Sequence, residues 1–257
     1  MKKIAISGIS KVAACKKITL KATITPSNAT NKKVTWKSSN TSYATVDQKG
    51  VVTTKSNAAG KSVTITATAQ DGSGIKGTYN LSIYGISKIT LSGISKKIAA
   101  GKKITLTTVI SPSDVSNKKI KWTSSNTKVA TVSSKGVVTI KKKTGGKTVT
   151  ITATAQDGSK KKATYKISVM KGEVTKVAVS GNKPVNAGKS LKLKAKVTAS
   201  KGANKALKWT SSNTKYAKVN SAGKVTTLKA GKGKSVKITA MATDGSGKKK
   251  SVTVKIK

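Results

Sequence analysis

The three tryptophans of the chain recur at nearly equal intervals, and each begins the same short phrase. Trp36, Trp122 and Trp209 are separated by 86 and 87 residues, and the sequence Trp-x-Ser-Ser-Asn starts at every one of them. An Ala-x-Val segment, a Gly and an Asp-Gly-Ser triplet follow each phrase in the same order. A fixed period of this length indicates repeated structural units, so the chain is predicted to contain three copies of one domain.

The pattern within a repeat has a period of two residues. Val149, Ile151 and Ala153 alternate with threonines, and the other repeats contain similar segments. Alternation with β-branched residues is typical of strands that have one buried face and one exposed face. About seven strands are expected per repeat, which in the first repeat lie near residues 3–7, 17–25, 32–37, 43–47, 50–54, 62–70 and 76–84.

Seven short strands in about 86 residues predict an all-β fold, an Ig-like antiparallel β-sandwich with the single tryptophan as its core anchor. The linkers between repeats are short, so the three tandem sandwiches are expected to be restrained end to end in a rod. The predicted domains are residues 1–85, 86–172 and 173–257.

The order of the motifs also resembles a known family, the bacterial immunoglobulin-like domains of group 2. The resemblance is carried by Ile-Thr-Leu-Ser-Gly at 89–93, Gly-Val-Val-Thr at 136–139 and Ile-Thr-Ala-Thr-Ala-x-Asp-Gly-Ser at 151–159, and it covers nearly the whole chain. It implies a non-catalytic module of the kind found in bacterial surface adhesins, secreted glycan-active proteins and phage tail or capsid proteins. One departure is Cys15, which replaces the Gly of the other repeats and is expected to lie exposed in a turn.

Composition argues against catalysis, metal binding and disulfides. The chain has no His, one Cys and six scattered carboxylates, which excludes a His-based triad, a zinc finger and an internal disulfide framework. Three of the acids, Asp71, Asp157 and Asp244, recur in Asp-Gly turns. No catalytic residue, no metal ligand and no cofactor is therefore predicted, and the protein is expected not to be an enzyme.

Lysine is the main functional signal. All 53 basic residues are Lys against six acids, which gives a formal net charge of +47. Many lysines alternate along strands, and nine cluster at turns: Lys141, Lys142, Lys143, Lys160, Lys161, Lys162, Lys248, Lys249 and Lys250. Such charge serves solubility alone, or it attracts the chain to a polyanionic or glycan surface, such as a cell wall, capsule, mucin or acidic capsid or tail protein.

Nucleic acid is the obvious rival partner, but the chain has no Arg and only eight aromatic residues. Specific readers favour Arg forks, and single-strand binders interleave aromatic residues with basic ones. No specific nucleic acid is therefore expected, only salt-sensitive nonspecific binding.

Three settings remain open. The main expectation is a structural or adhesive arm that is extracellular or on a bacterial cell surface, and the alternative is a phage virion protein on the head or tail exterior. The third is an accessory glycan-binding module, against which few aromatic side chains remain for sugar stacking. Ser7 and Gly8 interrupt the apolar start that a secretory signal would show, so the first setting implies a mature fragment. No apolar run is long enough for a membrane span.

Overall fold

The computed structural model describes all 257 residues and consists almost entirely of β-strands. The strands of the first repeat are β1 (Lys3–Ser7), β2 (Lys11–Ala13), β3 (Lys17–Thr19), β4 (Lys21–Thr25), β5 (Val34–Ser38), β6 (Ala44–Val46), β7 (Val51–Thr54), β8 (Lys61–Ala69) and β9 (Lys76–Tyr84).

The second and third repeats contain the same series with small changes. The second has β10 (Lys88–Ser92), β11 (Lys97–Ala99), β12 (Lys103–Thr105), β13 (Thr107–Ser111), β14 (Ile120–Ser124), β15 (Ala130–Val132), β16 (Val137–Ile140), β17 (Thr148–Ala155) and β18 (Lys162–Met170). The third has β19 (Val174–Ser180), β20 (Ser190–Lys192), β21 (Lys194–Ala199), β22 (Leu207–Ser211), β23 (Ala217–Val219), β24 (Lys224–Thr227), β25 (Ser235–Ala242) and β26 (Lys249–Lys255), with a 3-10 helix at Lys229–Gly231. The predicted class of tandem β-sandwiches is confirmed.

The first repeat has nine strands rather than the predicted seven. The segment 17–25 was expected as one strand, but it divides at Leu20, which is 2% exposed and donates its backbone N–H to the carbonyl of Gly50. Before Leu20, β3 pairs with β7, and after it β4 pairs with β1. The chain thus changes sheets at one buried residue, and the alternation of apolar residues continues through the break and hides it from the sequence.

The second unpredicted strand, β2, also corrects the expectation of a purely antiparallel sandwich. It pairs in parallel with β9, with Lys11 opposite Ser82 and Ala13 opposite Tyr84. The sheet order is β2-β9-β8-β5. In the second repeat, β11 pairs in parallel with β18 in the same way. The third repeat has an isolated parallel bridge between Val185 and Ile256.

The core of the first repeat lies between its sheets. One cluster joins Leu20, Val52, Ile65 and Leu81, which are at most 2% exposed, to Trp36, which is 8% exposed. Gly50 reaches the same cluster with φ +77°, and a Cβ there would lie 2.5 Å from the carbonyl oxygen of Leu20. Gly50, which follows the Trp phrase of this repeat, is therefore required at its position by both the left-handed backbone and the close approach.

The chain divides into two compact units, and the division runs through the second repeat. The first unit comprises Met1–Leu91, Thr108–Trp122 and Ala153–Ala163, and the second comprises Ser92–Thr107, Thr123–Thr152 and Thr164–Lys257. The domain boundaries at 85/86 and 172/173 remain a prediction from the repeat period. No helix of the structure has the length and apolar character needed to cross a membrane.

Candidate functional site

The nine clustered lysines are all exposed, and they fall into three separate places. Lys141–Lys143 follow β16, Lys160–Lys162 lead into β18, and Lys248–Lys250 lead into β26. Lys143 and Lys160 have positive φ angles of 58°, so these clusters include turn backbone as well as strand ends. Exposure leaves their ammonium groups open to a ligand.

Two of the nine lysines lie in a cleft within the first compact unit. Lys160 and Lys161 line it together with Lys11 and Lys61, and its volume is about 930 Å³. The sequence pattern had not singled out Lys11 or Lys61, because each is isolated in sequence. The pairing of β2 and β8 with β9 brings these two lysines to the same cleft.

Two tyrosines also line this cleft, and a lysine lies against each ring. The Nζ atom of Lys61 is 5.6 Å from the ring centroid of Tyr43, and the Nζ atom of Lys11 is 5.9 Å from that of Tyr84. Both distances are within cation–π range. Both rings are half-buried, so part of each ring remains accessible.

The hydroxyl of Tyr84 is held in place. It donates a 2.7 Å hydrogen bond to Oδ2 of Asp114, and this bond raises the pKa of Tyr84 above its ordinary value. Asp114 itself lines an adjoining cleft of about 460 Å³, which shares Lys11 and Tyr84 with the larger cleft. The carboxylate thus orients the tyrosine from outside the larger cleft.

A hydroxyl-bearing row forms part of the cleft wall. Lys11, Ser82 and Ser62 are register partners on the adjacent strands β2, β9 and β8, and all three are exposed. Because paired residues point to the same face of a sheet, their side chains stand side by side. Tyr84, two residues after Ser82, lies on that face as well. The cleft therefore combines positive charge, hydroxyls and aromatic surface.

Asp157 directly precedes the cleft-lining residues 158–161 in sequence, but its carboxylate is buried and does not line the cleft. Asp157 is 1% exposed, and its Oδ1 atom accepts hydrogen bonds from the N–H and hydroxyl of Ser159 at 3.0 and 2.6 Å. Its Oδ2 atom accepts a 2.6 Å bond from the backbone N–H of Ile86. Gly85 permits this approach, because a Cβ there would lie 2.4 Å from that oxygen. All three hydrogen bonds to the Asp157 carboxylate come from donors in its own repeat.

The Asp-Gly-Ser turns therefore do more than the turn role predicted for them. In the third repeat, Oδ2 of Asp244 accepts a 2.7 Å bond from the N–H of Val174, and Asp244 is fully buried. In the first repeat the exposed Asp71 contacts the N-terminal ammonium of Met1. Each aspartate binds the start of its own repeat, about 70 residues earlier in sequence. Sequence reasoning missed this contact, although the recurrence of the three acids was a usable signal.

The structure also locates the remaining predicted residues. Trp36 is buried, whereas Trp122 and Trp209 are half-buried and pack at the edge of their clusters. Cys15 is exposed with φ 63°, as expected for a residue that replaces a turn glycine. No three His, Cys, Asp or Glu side chains are grouped so that they could hold a metal ion.

Comparison with known proteins identifies a family for all three repeats. The model for the bacterial Ig-like domain (group 2) matches residues 9–78, 86–165 and 173–254. An Ig-like virion protein of Serratia phage KSP90 is 35% identical over 147 residues, which are 56% of this chain and 55% of that protein. An uncharacterised protein of Clostridium acetobutylicum is 40% identical over 119 residues, which are 46% of this chain and 12% of that protein.

Similar solved structures include the Escherichia coli adhesin FdeC and domains 1–6 of the surface layer protein SbsC. FdeC is 13% identical, with a TM-score of 0.31, and the match covers 99% of this chain and 96% of FdeC. SbsC is 18% identical, with a TM-score of 0.30, and the match covers 98% of this chain and 40% of SbsC. The chain thus spans only part of the two sequence relatives, about half of one and an eighth of the other.

Proposed function

Because the chain belongs to the bacterial Ig-like domain (group 2) family, we propose that it is a non-catalytic structural and adhesive arm displayed on an exterior surface. Its lysines attach it electrostatically to polyanionic or glycan surfaces, such as a cell wall, capsule or mucin. The single observation that carries this proposal is the exposed, uncompensated positive charge. Six carboxylates cannot neutralise 53 lysines, and the nine clustered lysines are all exposed.

The carboxylates are held in contacts within the protein, and the exposed charge is mainly cationic. Asp157 and Asp244 are buried against backbone N–H groups, and Asp47 accepts the N–H groups of its own turn. Asp114 accepts from Tyr84, and Glu173 pairs with Lys102. Each carboxylate keeps its negative charge in these contacts, but six such charges leave most of the 53 lysines uncompensated.

The setting at a bacterial surface has a direct rival. The alternative is a bacteriophage virion protein that decorates the head or tail and contacts an acidic capsid or tail protein. The 35% identity to an Ig-like virion protein over 147 residues favours this alternative. In either setting the protein acts outside a cell, and the same cationic surface makes the attachment.

The third candidate, an accessory glycan-binding module, gains from one observation. The sequence offered few aromatic residues for sugar stacking, but Tyr43 and Tyr84 line one cleft together with four lysines. Aromatic surface with a few convergent polar groups is typical of small-ligand sites. This candidate keeps the electrostatic attachment and adds a defined contact to it.

The test is binding of the full chain to teichoic acid, heparin and DNA, with neutral dextran as the reference polymer. Replacement of six clustered lysines with Gln (Lys160, Lys161, Lys162, Lys248, Lys249 and Lys250) should weaken binding to all three polyanions. A matched control replaces six dispersed, exposed strand lysines with Gln: Lys21, Lys37, Lys121, Lys166, Lys194 and Lys208. The control has equal net charge and should lose less affinity, because local charge density is kept. Equal binding to dextran and heparin would refute the proposal.

A further inference from the structure

We propose that the cleft formed by Lys11, Lys61, Lys160, Lys161, Tyr43 and Tyr84 is a binding site for an anionic oligosaccharide. This inference rests on the proposed attachment to polyanions and assigns it a specific place and ligand class. The cleft lies within the first compact unit, and its volume of about 930 Å³ is at the upper end of the range for ligand pockets.

The charge of the cleft selects an anion. Four lysines line it, and the neighbouring Asp157 is buried and accepts three hydrogen bonds from Ile86 and Ser159. Asp114 stands in the adjoining cleft and is bound by the hydroxyl of Tyr84. The four ammonium groups thus outnumber the two nearby carboxylates, neither of which lines the cleft, so the cleft favours an anionic ligand.

The remaining lining groups favour a saccharide over other anions. Ser62 and Ser82 stand side by side on neighbouring strands with exposed hydroxyls, in one row with Lys11. Each hydroxyl both donates and accepts hydrogen bonds, which matches a ligand rich in hydroxyl groups. Tyr43 and Tyr84 supply rigid, amphipathic surface on which the apolar face of a sugar ring packs.

A single-stranded nucleic acid is the rival occupant, since it also uses basic grooves with aromatic side chains. The two rings offer stacking surface to a base as well as to a sugar, so they do not separate the two ligands. The neighbouring hydroxyls of Ser62 and Ser82 do, because a ligand rich in hydroxyl groups uses both their donors and their acceptors, whereas base stacking uses neither. This row of hydroxyls favours the saccharide.

The repeat architecture provides a matched variant. The second repeat carries Val129 and Met170 at the positions of Tyr43 and Tyr84. The double substitution Y43V/Y84M therefore introduces residues that this fold already uses at those positions. The single substitution Tyr84→Phe is the companion variant, because it keeps the ring and removes only the hydroxyl bound to Asp114.

The experiment titrates the full chain with hexasaccharides of heparin, hyaluronan and polygalacturonate by calorimetry. Neutral chitohexaose and a thymidine oligonucleotide of equal charge are the reference ligands. At least one acidic hexasaccharide should bind with one-to-one stoichiometry and more tightly than either reference. Y43V/Y84M should weaken it about tenfold or more with an unchanged salt dependence, whereas Tyr84→Phe should change affinity less than about threefold.

Charge variants complete the design. Replacing Lys11, Lys61, Lys160 and Lys161 with Gln should weaken the hexasaccharide and lower the salt dependence. Replacing Lys121, Lys166, Lys194 and Lys208, which are exposed strand lysines outside both the cleft and the three clusters, removes equal charge and should change affinity less than about threefold. If Y43V/Y84M, folded by circular dichroism, binds like the original chain, the cleft is not the site, although polymer attachment still stands. Tighter binding of the oligonucleotide than of every acidic hexasaccharide also overturns the proposal. If the original chain binds no polyanion at all, the proposed function itself is refuted.

Discussion

The Oδ2 atom of Asp157 accepts a 2.6 Å hydrogen bond from the backbone N–H of Ile86, 71 residues earlier in the chain. Asp244 makes the equivalent bond to Val174 at 2.7 Å. In both cases the carboxylate is at most 1% exposed. A turn at the end of one hairpin therefore fixes the start of its own repeat through a buried, charge-assisted contact.

Asp157→Ala removes this contact and should lower the free energy of unfolding by about 1–3 kcal/mol, because it leaves a buried N–H without a partner. The measurement is amide hydrogen exchange at Ile86, which should accelerate about tenfold, together with urea unfolding of the full chain. Asp157→Asn keeps an acceptor oxygen and should lose less. Asp71→Ala is the matched control at an exposed position, and equal losses for the two alanine variants would contradict a role for burial.

Alanine substitutions at Gly50 and Gly72 distinguish the cost of backbone strain from the cost of a close approach. Both have left-handed backbones, with φ +77° and +81°, but a Cβ at Gly50 would meet the carbonyl oxygen of Leu20 and the ring of Trp36 at 2.5 and 3.1 Å, whereas nothing lies within 4 Å at Gly72. Gly72→Ala should cost about 1–2 kcal/mol from the left-handed conformation alone. Gly50→Ala should cost clearly more in a denaturant unfolding experiment. Equal costs would show that the close approach is unimportant.

The tryptophans should differ in their contribution to stability. Trp36 is 8% exposed within the core of the first repeat, and its replacement with Ala should cost about 3–5 kcal/mol. Trp209 is half-buried at the edge of two clusters, so its replacement should cost less. Hydrogen exchange of core amides in the affected repeat gives both values. A larger loss for Trp209 would contradict the burial argument.

The pKa of Asp71 should depend on the N-terminus. The ammonium group of Met1, followed by the hydroxyl and N–H of Ser73, lowers this pKa well below its ordinary value of 3.8. Since the folded-state pKa is lowered, the contact stabilises the fold above the unfolded-state pKa, and this stabilisation is lost as pH falls through the folded-state pKa. Acetylation of the N-terminus should raise the carboxyl pKa in a carbon-13 NMR titration, and an unchanged titration would exclude the ammonium contact.

The sequence predicted the fold well because its signals are local and repeated. The Trp phrase, the alternation of Val149, Ile151 and Ala153, and the Asp-Gly-Ser turns each report on neighbouring residues, and three copies reinforce one another. The division of residues 17–25 at Leu20 was missed because a buried crossover keeps the same alternation as a continuous strand.

The candidate site was only partly predictable. Lys160 and Lys161 stood out as a cluster, but Lys11, Tyr43 and Tyr84 are distant in sequence and meet through strand pairing and the hairpin before β18. Tyr43 recurs only in the third repeat, as Tyr216, and Tyr84 has no tyrosine at the matching position of another repeat, so the repeat pattern that revealed the fold did not single out this pair. The bond from Ile86 to Asp157 was hidden for the same reason, since it joins residues 71 positions apart.

The salt dependence of heparin binding by the full chain shows directly whether lysine charge carries the attachment. If uncompensated lysines carry the attachment, the logarithm of the affinity should fall steadily with the logarithm of the salt concentration. Binding should be largely lost near 1 M NaCl, where the Debye length shortens to about 3 Å from about 10 Å at 0.1 M. Tight binding that persists at 1 M salt, or no binding even at low salt, would contradict electrostatic attachment through lysines.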